Sequence, residues 1–112
     1  MNIQKCVFSA LIIFHSLLSA KTERWNVKTS YQNIIENAQS GSAYYQGLLG
    51  IYLRSGEGGS SVNIELSRKW SNVAVKQDHP FGAYNLANLA MLKGDLVAAT
   101  TLYQDAALRL QR

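Results

Sequence analysis

Residues 66–95, LSRKWSNVAVKQDHPFGAYNLANLAMLKGD, decide the fold. Two apolar-periodic runs flank Asp78-His79-Pro80, and Gly94-Asp95 closes the stretch. Trp70 and Ala74 lie four apart, on one side of a first helix. Tyr84, Leu86, Leu89 and Ala90 supply the apolar side of a second. Pro80 fits the first position of that second helix, where its missing N–H has no partner to lose. Asp78 or His79 caps it. Gly94 ends it, and Asp95 caps the next helix. The stretch therefore reads as helix, turn, helix, turn.

The same grammar extends in both directions. A last helix is expected from Leu96 to about Leu110. On the other side, Asn63 is a cap for a helix from Ile64 to Lys76, with Glu65 in its first turn. Residues 43–55, AYYQGLLGIYLRS, form an earlier helix, with Tyr45, Leu48, Leu49 and Tyr52 at helical spacing. Residues 24–39 carry Val27, Tyr31, Ile34, Ile35 and Ala38 on one stripe, and Gly41-Ser42 separates these two helices. With Phe81–Lys93 this gives five helices, short connections and no strands. Gly47 and Gly50 lie inside a helix, where each costs up to about 1 kcal/mol against Ala. Two in one helix point to a neighbouring helix that comes too close for side chains. The loop Gly56–Ser61 is rich in glycine, but it lacks the Lys-Ser/Thr ending of a phosphate-binding loop and has no strand before it.

The first twenty residues have a different character. Met1–Lys5 ends in a positive charge, Cys6–Leu18 is almost wholly apolar, and Ser19-Ala20 precedes a polar stretch. That order describes a secretory signal peptide, residues 1–20, with cleavage after Ala20. A mature domain of residues 21–112 is left. The apolar run falls short of the about 20 residues that cross a bilayer. Membrane attachment is thus expected only through an uncleaved leader, and the location is exported, periplasmic or extracellular. The only cysteine, Cys6, lies in the leader, so no disulfide or thiolate metal site is expected in the mature chain.

Apolar residues make up 47% of the chain and charged ones 16%, a composition that buries a core rather than staying disordered. Eleven Lys and Arg stand against seven Asp and Glu, but the cations are scattered. Nucleic-acid binding is not expected, because it needs cations gathered on one face.

Internal repetition fixes the architecture more firmly than periodicity does. Leu66, Trp70, Ala74 and Val75 correspond to Ala98, Leu102, Ala106 and Ala107 at a constant offset of 32. Leu48, Tyr52 and Gly56 correspond to Leu86, Ala90 and Gly94 at an offset of 38. At these residues the chain resembles the Sel-1-like repeats, relatives of the tetratricopeptide repeats. Tyr52, Gly56-Glu57-Gly58, Trp70 and Ala74 carry the Sel-1-like pattern. Gly94-Asp95, Ala99, Tyr103 and Ala106 are more similar to a tetratricopeptide repeat. The pattern departs at Val75, where a second Ala is usual, and at Asp78, where Gly often ends the helix. The resemblance implies antiparallel helix pairs stacked as a short α-solenoid. Small residues at Ala74, Ala83, Ala87, Ala99 and Ala106 would let helices approach, and Tyr52, Trp70 and Tyr103 would fill the core.

It also implies a non-catalytic module or scaffold that binds a protein or peptide on the face of its A-helices. The residues expected to point outward there are Tyr44, Ile51, Arg54, Asn85, Asn88 and Leu92, with the two Asn offering donor and acceptor to a peptide backbone. The alternative is a structural subunit that forms a homodimer, or docks on a larger partner, through its apolar last helix, with Leu96, Leu102, Leu108 and Leu110. A hydrolase acting on cell-wall material is disfavoured. Hydrolysis needs paired carboxylates, an activated nucleophile or a metal. The acids sit mostly at helix starts and in loops, and His79 is the single histidine beyond the leader. No catalytic residue, cofactor or metal site is assigned.

Overall fold

The computed structural model describes the backbone of residues 27–112 and the side chains of residues 31–112. The expected signal peptide, residues 1–20, and the expected cleavage after Ala20 lie outside the described residues. Among the described residues the chain is all-helical. Its helices are α1 (Val27–Gln39), α2 (Ala43–Ser55), α3 (Ile64–Lys76), α4 (Pro80–Leu92) and α5 (Leu96–Leu110), with one 3-10 turn, Glu57–Gly59, after α2. None of these helices is long and apolar enough to cross a membrane.

Local chemistry sets the boundaries. The Asn63 side chain accepts from the Leu66 N–H at 3.0 Å to start α3. Asp95 accepts from Ala98 N–H at 3.1 Å to start α5. Of the two candidates before α4, His79 is the cap: its Nδ1 accepts from the Phe81 N–H at 3.2 Å. Pro80 then takes the first helical position. Asp78 has a different task. It adopts φ 64°, the left-handed conformation in which a helix commonly ends on Gly. Asp tolerates that region better than most residues, because its short polar side chain can bond locally. Here its carboxylate takes Nη1 of Arg109 at 2.6 Å and Nη1 of Arg112 at 2.5 Å, so the end of α5 is tied to the α3–α4 turn. Arg109 also donates to the Val75 carbonyl at 3.1 Å. The Arg112 hydrogen bond, above all, holds the Asp78 carboxyl below its usual range.

Each helix packs on its neighbour in the chain, and α2 packs on α4 as well. α2 and α4 thus form a central row, with α1, α3 and α5 set against it. Gly56 and Gly94, equivalent in the offset of 38, close the two central helices with nearly the same backbone, φ 78° and 77°. One core cluster holds Ile34, Ala38, Leu49 and Leu53, with Tyr52 and Trp70 among the half-buried side chains around it.

The second core is made of small and polar residues. Ala74, Ala83, Ala87, Ala99 and Ala106 are all buried, as expected of residues that let helices approach. The close approach marked by Gly47 and Gly50 is to α3 and α4. A Cβ on Gly47 would lie 2.5 Å from that of Phe81, and one on Gly50 would meet Ser71 Oγ and lie 3.1 Å from the Ser67 carbonyl.

Two expectations about the seam need correction. The buried stripe of α3 is Ser67, Ser71 and Ala74, one position round from Leu66 and Trp70. Leu66 is exposed and Trp70 half-buried. The buried side of α4 is Gly82, Ala83, Asn85, Ala87 and Leu89, whereas Tyr84 is 46% exposed. Both shifts have one cause. α2 meets α4 at Gly47 and α3 at Gly50, and α4 meets α3 at Gly82, so closely that only small or hydrogen-bonded side chains fit where the three helices join.

Candidate functional site

The outer face of the central row begins from a buried network. Asn85 is wholly buried. Its Nδ2 donates to Ser67 Oγ and Ser71 Oγ, both at 2.8 Å. Ser67 Oγ in turn donates to the Gly50 carbonyl at 2.5 Å. Asn85 Oδ1 accepts from Arg54 Nε at 2.7 Å. Every hydrogen-bonding group of the Asn85 amide is engaged, and no buried side-chain polar atom among the described residues lacks a partner. A buried network of this kind stabilises only when it is fully satisfied.

The expectation that Asn85 faces a ligand is therefore corrected. It joins α2, α3 and α4 and cannot reach a partner. Arg54 is half-buried, held in place by that amide. Asn88 is half-buried too, and its Oδ1 accepts from the Tyr103 hydroxyl. Tyr44 and Leu92 are exposed, at 47% and 67%. Ile51 is half-buried. The six residues are not one surface: Tyr44 and Ile51 lie near the α2–α4 crossing, Leu92 lies at the far end of α4, and Asn85 lies beneath.

Tyr44 and Ile51 were expected on the outer face, but their grouping with His79, Phe81 and the end of α5 was not legible in the sequence. Tyr44 packs against Phe81 with ring centroids 5.3 Å apart, and against His79 at 6.0 Å. His79 and Phe81 lie 5.0 Å apart. Burial holds the His79 imidazole below its usual pKa, so the neutral ring that caps α4 is favoured. Beside this cluster is an open hollow of about 210 Å³ lined by Ile51, Pro80, Phe81, Tyr84, Ala106 and Leu110. No charged residue lines it. Helices α2, α4 and α5 contribute one wall each. Tyr84 is its exposed rim, and its ring lies 6.0 Å from that of Tyr103. The signal that could have found it is that α4, PFGAYNLANLAML, contains no charged residue: both of its faces are fit to be covered.

A second hollow of about 250 Å³ lies over Leu86 and Leu89, between α3 and α5, and Arg68 and Lys93 are at its edge. The acids are engaged structurally in several places. Asp105 pairs with Arg109 at 3.0 Å, and Glu65 lies 3.9 Å from Arg68. Among the described residues no three His, Cys, Asp or Glu side chains are gathered as metal ligands would be.

Comparisons with protein-family models, with curated proteins and with solved structures find no match for this chain.

Proposed function

We propose that this chain is an exported, non-catalytic interaction module, built of Sel-1-like helix pairs stacked as a short α-solenoid. It binds a partner protein or peptide by taking one of its apolar side chains into the hollow between α2, α4 and α5. The observation that carries this is the hollow itself: lined without charge, with the exposed Tyr84 in its wall and Tyr44 packed on the far side of Phe81. Such a hollow suits a buried apolar anchor surrounded by polar contacts, the arrangement in which a few residues supply most of the binding energy. In this reading Ile51 lines the hollow, Tyr44 packs beside it on Phe81, and Asn85 is the support beneath. The repeat offsets of 32 and 38, and the matching turns at Gly56 and Gly94, support the stacked-pair architecture. Export rests on the order of charged, apolar and small residues in residues 1–20.

The test is capture of exported proteins with tagged protein and with its Ile51→Glu and Leu110→Glu variants. Proteins retained by the parent and lost from both variants are the expected result. An identical set from all three would refute the hollow as the site. Intact mass of the exported protein should start at Lys21, and a chain that keeps Met1 in the membrane fraction would refute the cleaved leader.

A second reading, self-assembly through the last helix, is favoured by the exposure of Leu96, Val97 and Leu108.

A further inference from the structure

The outer face of α5 differs from those of the other flanking helices. On α1, Gln32, Asn33, Glu36 and Gln39 are exposed. On α3, Glu65, Lys69 and Lys76 are. On α5 the residues of the exposed face are Leu96, Val97, Thr100, Thr101, Gln104, Ala107 and Leu108, and none is charged. Val97 is 80% exposed and Leu108 58%. The two threonines have already spent their hydroxyl protons: Thr100 Oγ1 donates to the Leu96 carbonyl at 2.8 Å and Thr101 Oγ1 to the Val97 carbonyl at 3.1 Å. Covering them therefore leaves no donor orphaned.

Within this face Val97, Thr101, Gln104 and Leu108 follow spacings of four, three and four. That is the spacing of a heptad seam, with polar side chains at its two central positions. The seam spans about 16 Å at 1.5 Å per residue. Its chemistry is the same read from either end: apolar, uncharged polar, uncharged polar, apolar.

We infer that this seam pairs with the same seam of a second copy of the chain, the two α5 helices running antiparallel about a two-fold axis. In that register Val97 lies opposite Leu108 of the second copy at both ends, and Thr101 lies opposite Gln104 at the centre. A two-fold interface requires one patch to complement itself, and a reversal-symmetric stripe does so. A different partner would impose no such symmetry. The chain carries a formal charge of +4, so copies repel one another in general. The uncharged α5 face is where they can meet without bringing like charges together. The seam is a single helix face about 16 Å long, less than a standard interface covers, so pairing is weak and reversible. This deepens the self-assembly reading and is independent of the hollow, which Ala106 and Leu110 line from another side of α5.

Sedimentation equilibrium of the purified protein, in the form the producing cell processes it, tests the pairing. A weak, reversible monomer–dimer equilibrium that shows itself below about 1 mM is expected. Val97→Glu should weaken it at least about tenfold by placing a charge against Leu108 of the second copy. Val97→Glu with Leu108→Lys should restore pairing, because antiparallel helices then set Glu against Lys at both ends. Both substitutions are at exposed positions and agree with the helix dipole, so far-UV circular dichroism should be unchanged. A protein monomeric to about 1 mM overturns the inference, since even weak pairing would show there. So does a dimer indifferent to Val97→Glu. If the double variant fails to re-pair while each chain stays folded, the antiparallel register is wrong.

Discussion

Asn85→Ala is the sharpest test of how the central row is held. The substitution deletes an amide that makes three hydrogen bonds, two to the serines of α3 and one from Arg54 of α2. A net contribution of about 1 kcal/mol per bond gives about 3 kcal/mol for the set. The void left in a site sealed on all sides adds to this, as for other large-to-small changes in a core. Ser67 still donates to the Gly50 carbonyl, which limits the loss on that side. A destabilisation of about 3–4 kcal/mol is therefore expected. A domain of this size has on the order of 4–13 kcal/mol in total. The melting temperature should fall by about 12–30 °C, at about 4–8 °C per kcal/mol for a domain of 60–100 residues. Urea and thermal unfolding followed by circular dichroism would measure both. The double variant Asn85→Ala with Ser71→Ala should cost less than the sum of its parts, because the two lose one shared bond. A loss under about 0.5 kcal/mol, the range of ordinary surface substitutions, would refute the buried network and return Asn85 to the solvent face.

Three further outcomes are expected from the packing. Gly50→Ala gains about 1 kcal/mol of helix propensity but drives a Cβ onto Ser71, so net destabilisation by urea unfolding is expected; a more stable variant would mean α2 and α3 are farther apart than described. Asp78→Ala should melt below Asp78→Gly, since both lose the arginine contacts but only Ala is strained at φ 64°; the reverse order would refute the left-handed turn. His79 caps α4 as the neutral imidazole, and its folded pKa lies below the unfolded value of 6.5. Its contribution is therefore complete above 6.5 and is lost as pH falls from there through the folded pKa. Melting temperature should drop across that window in the parent and stay flatter in His79→Asn, and parallel curves would exclude the cap.

Much of the fold was legible because its signals are local. Gly41-Ser42, Asn63 and Asp95 mark helix starts by chemistry that does not depend on the rest of the chain, and the helices over 43–55, 64–76 and 96–110 fall where those signals put them. Gly47 and Gly50 revealed a close crossing because Gly inside a helix needs a reason. The face of each helix was harder. α4 is apolar on nearly every side, so periodicity could not single out its buried stripe, and the polarity of Asn85 pointed to the surface. The compensating signal was on α3, where Ser67 and Ser71 continue the stripe of Ala74 at spacings of four and three. Two hydroxyls on a buried stripe need a partner with both donors and acceptors, and an Asn supplies them. The hollow required tertiary knowledge, since Ile51, Tyr84 and Leu110 come from three helices and meet only after α5 docks.

The central claim is that a partner's apolar side chain occupies that hollow. A photo-crosslinking amino acid placed at Tyr84, on its rim, and in a second variant at Gln32, exposed on α1, tests it most directly. Irradiation with the exported fraction should give a discrete adduct with another protein from position 84 and none from position 32. No adduct from position 84, or the same adduct from both, would contradict it.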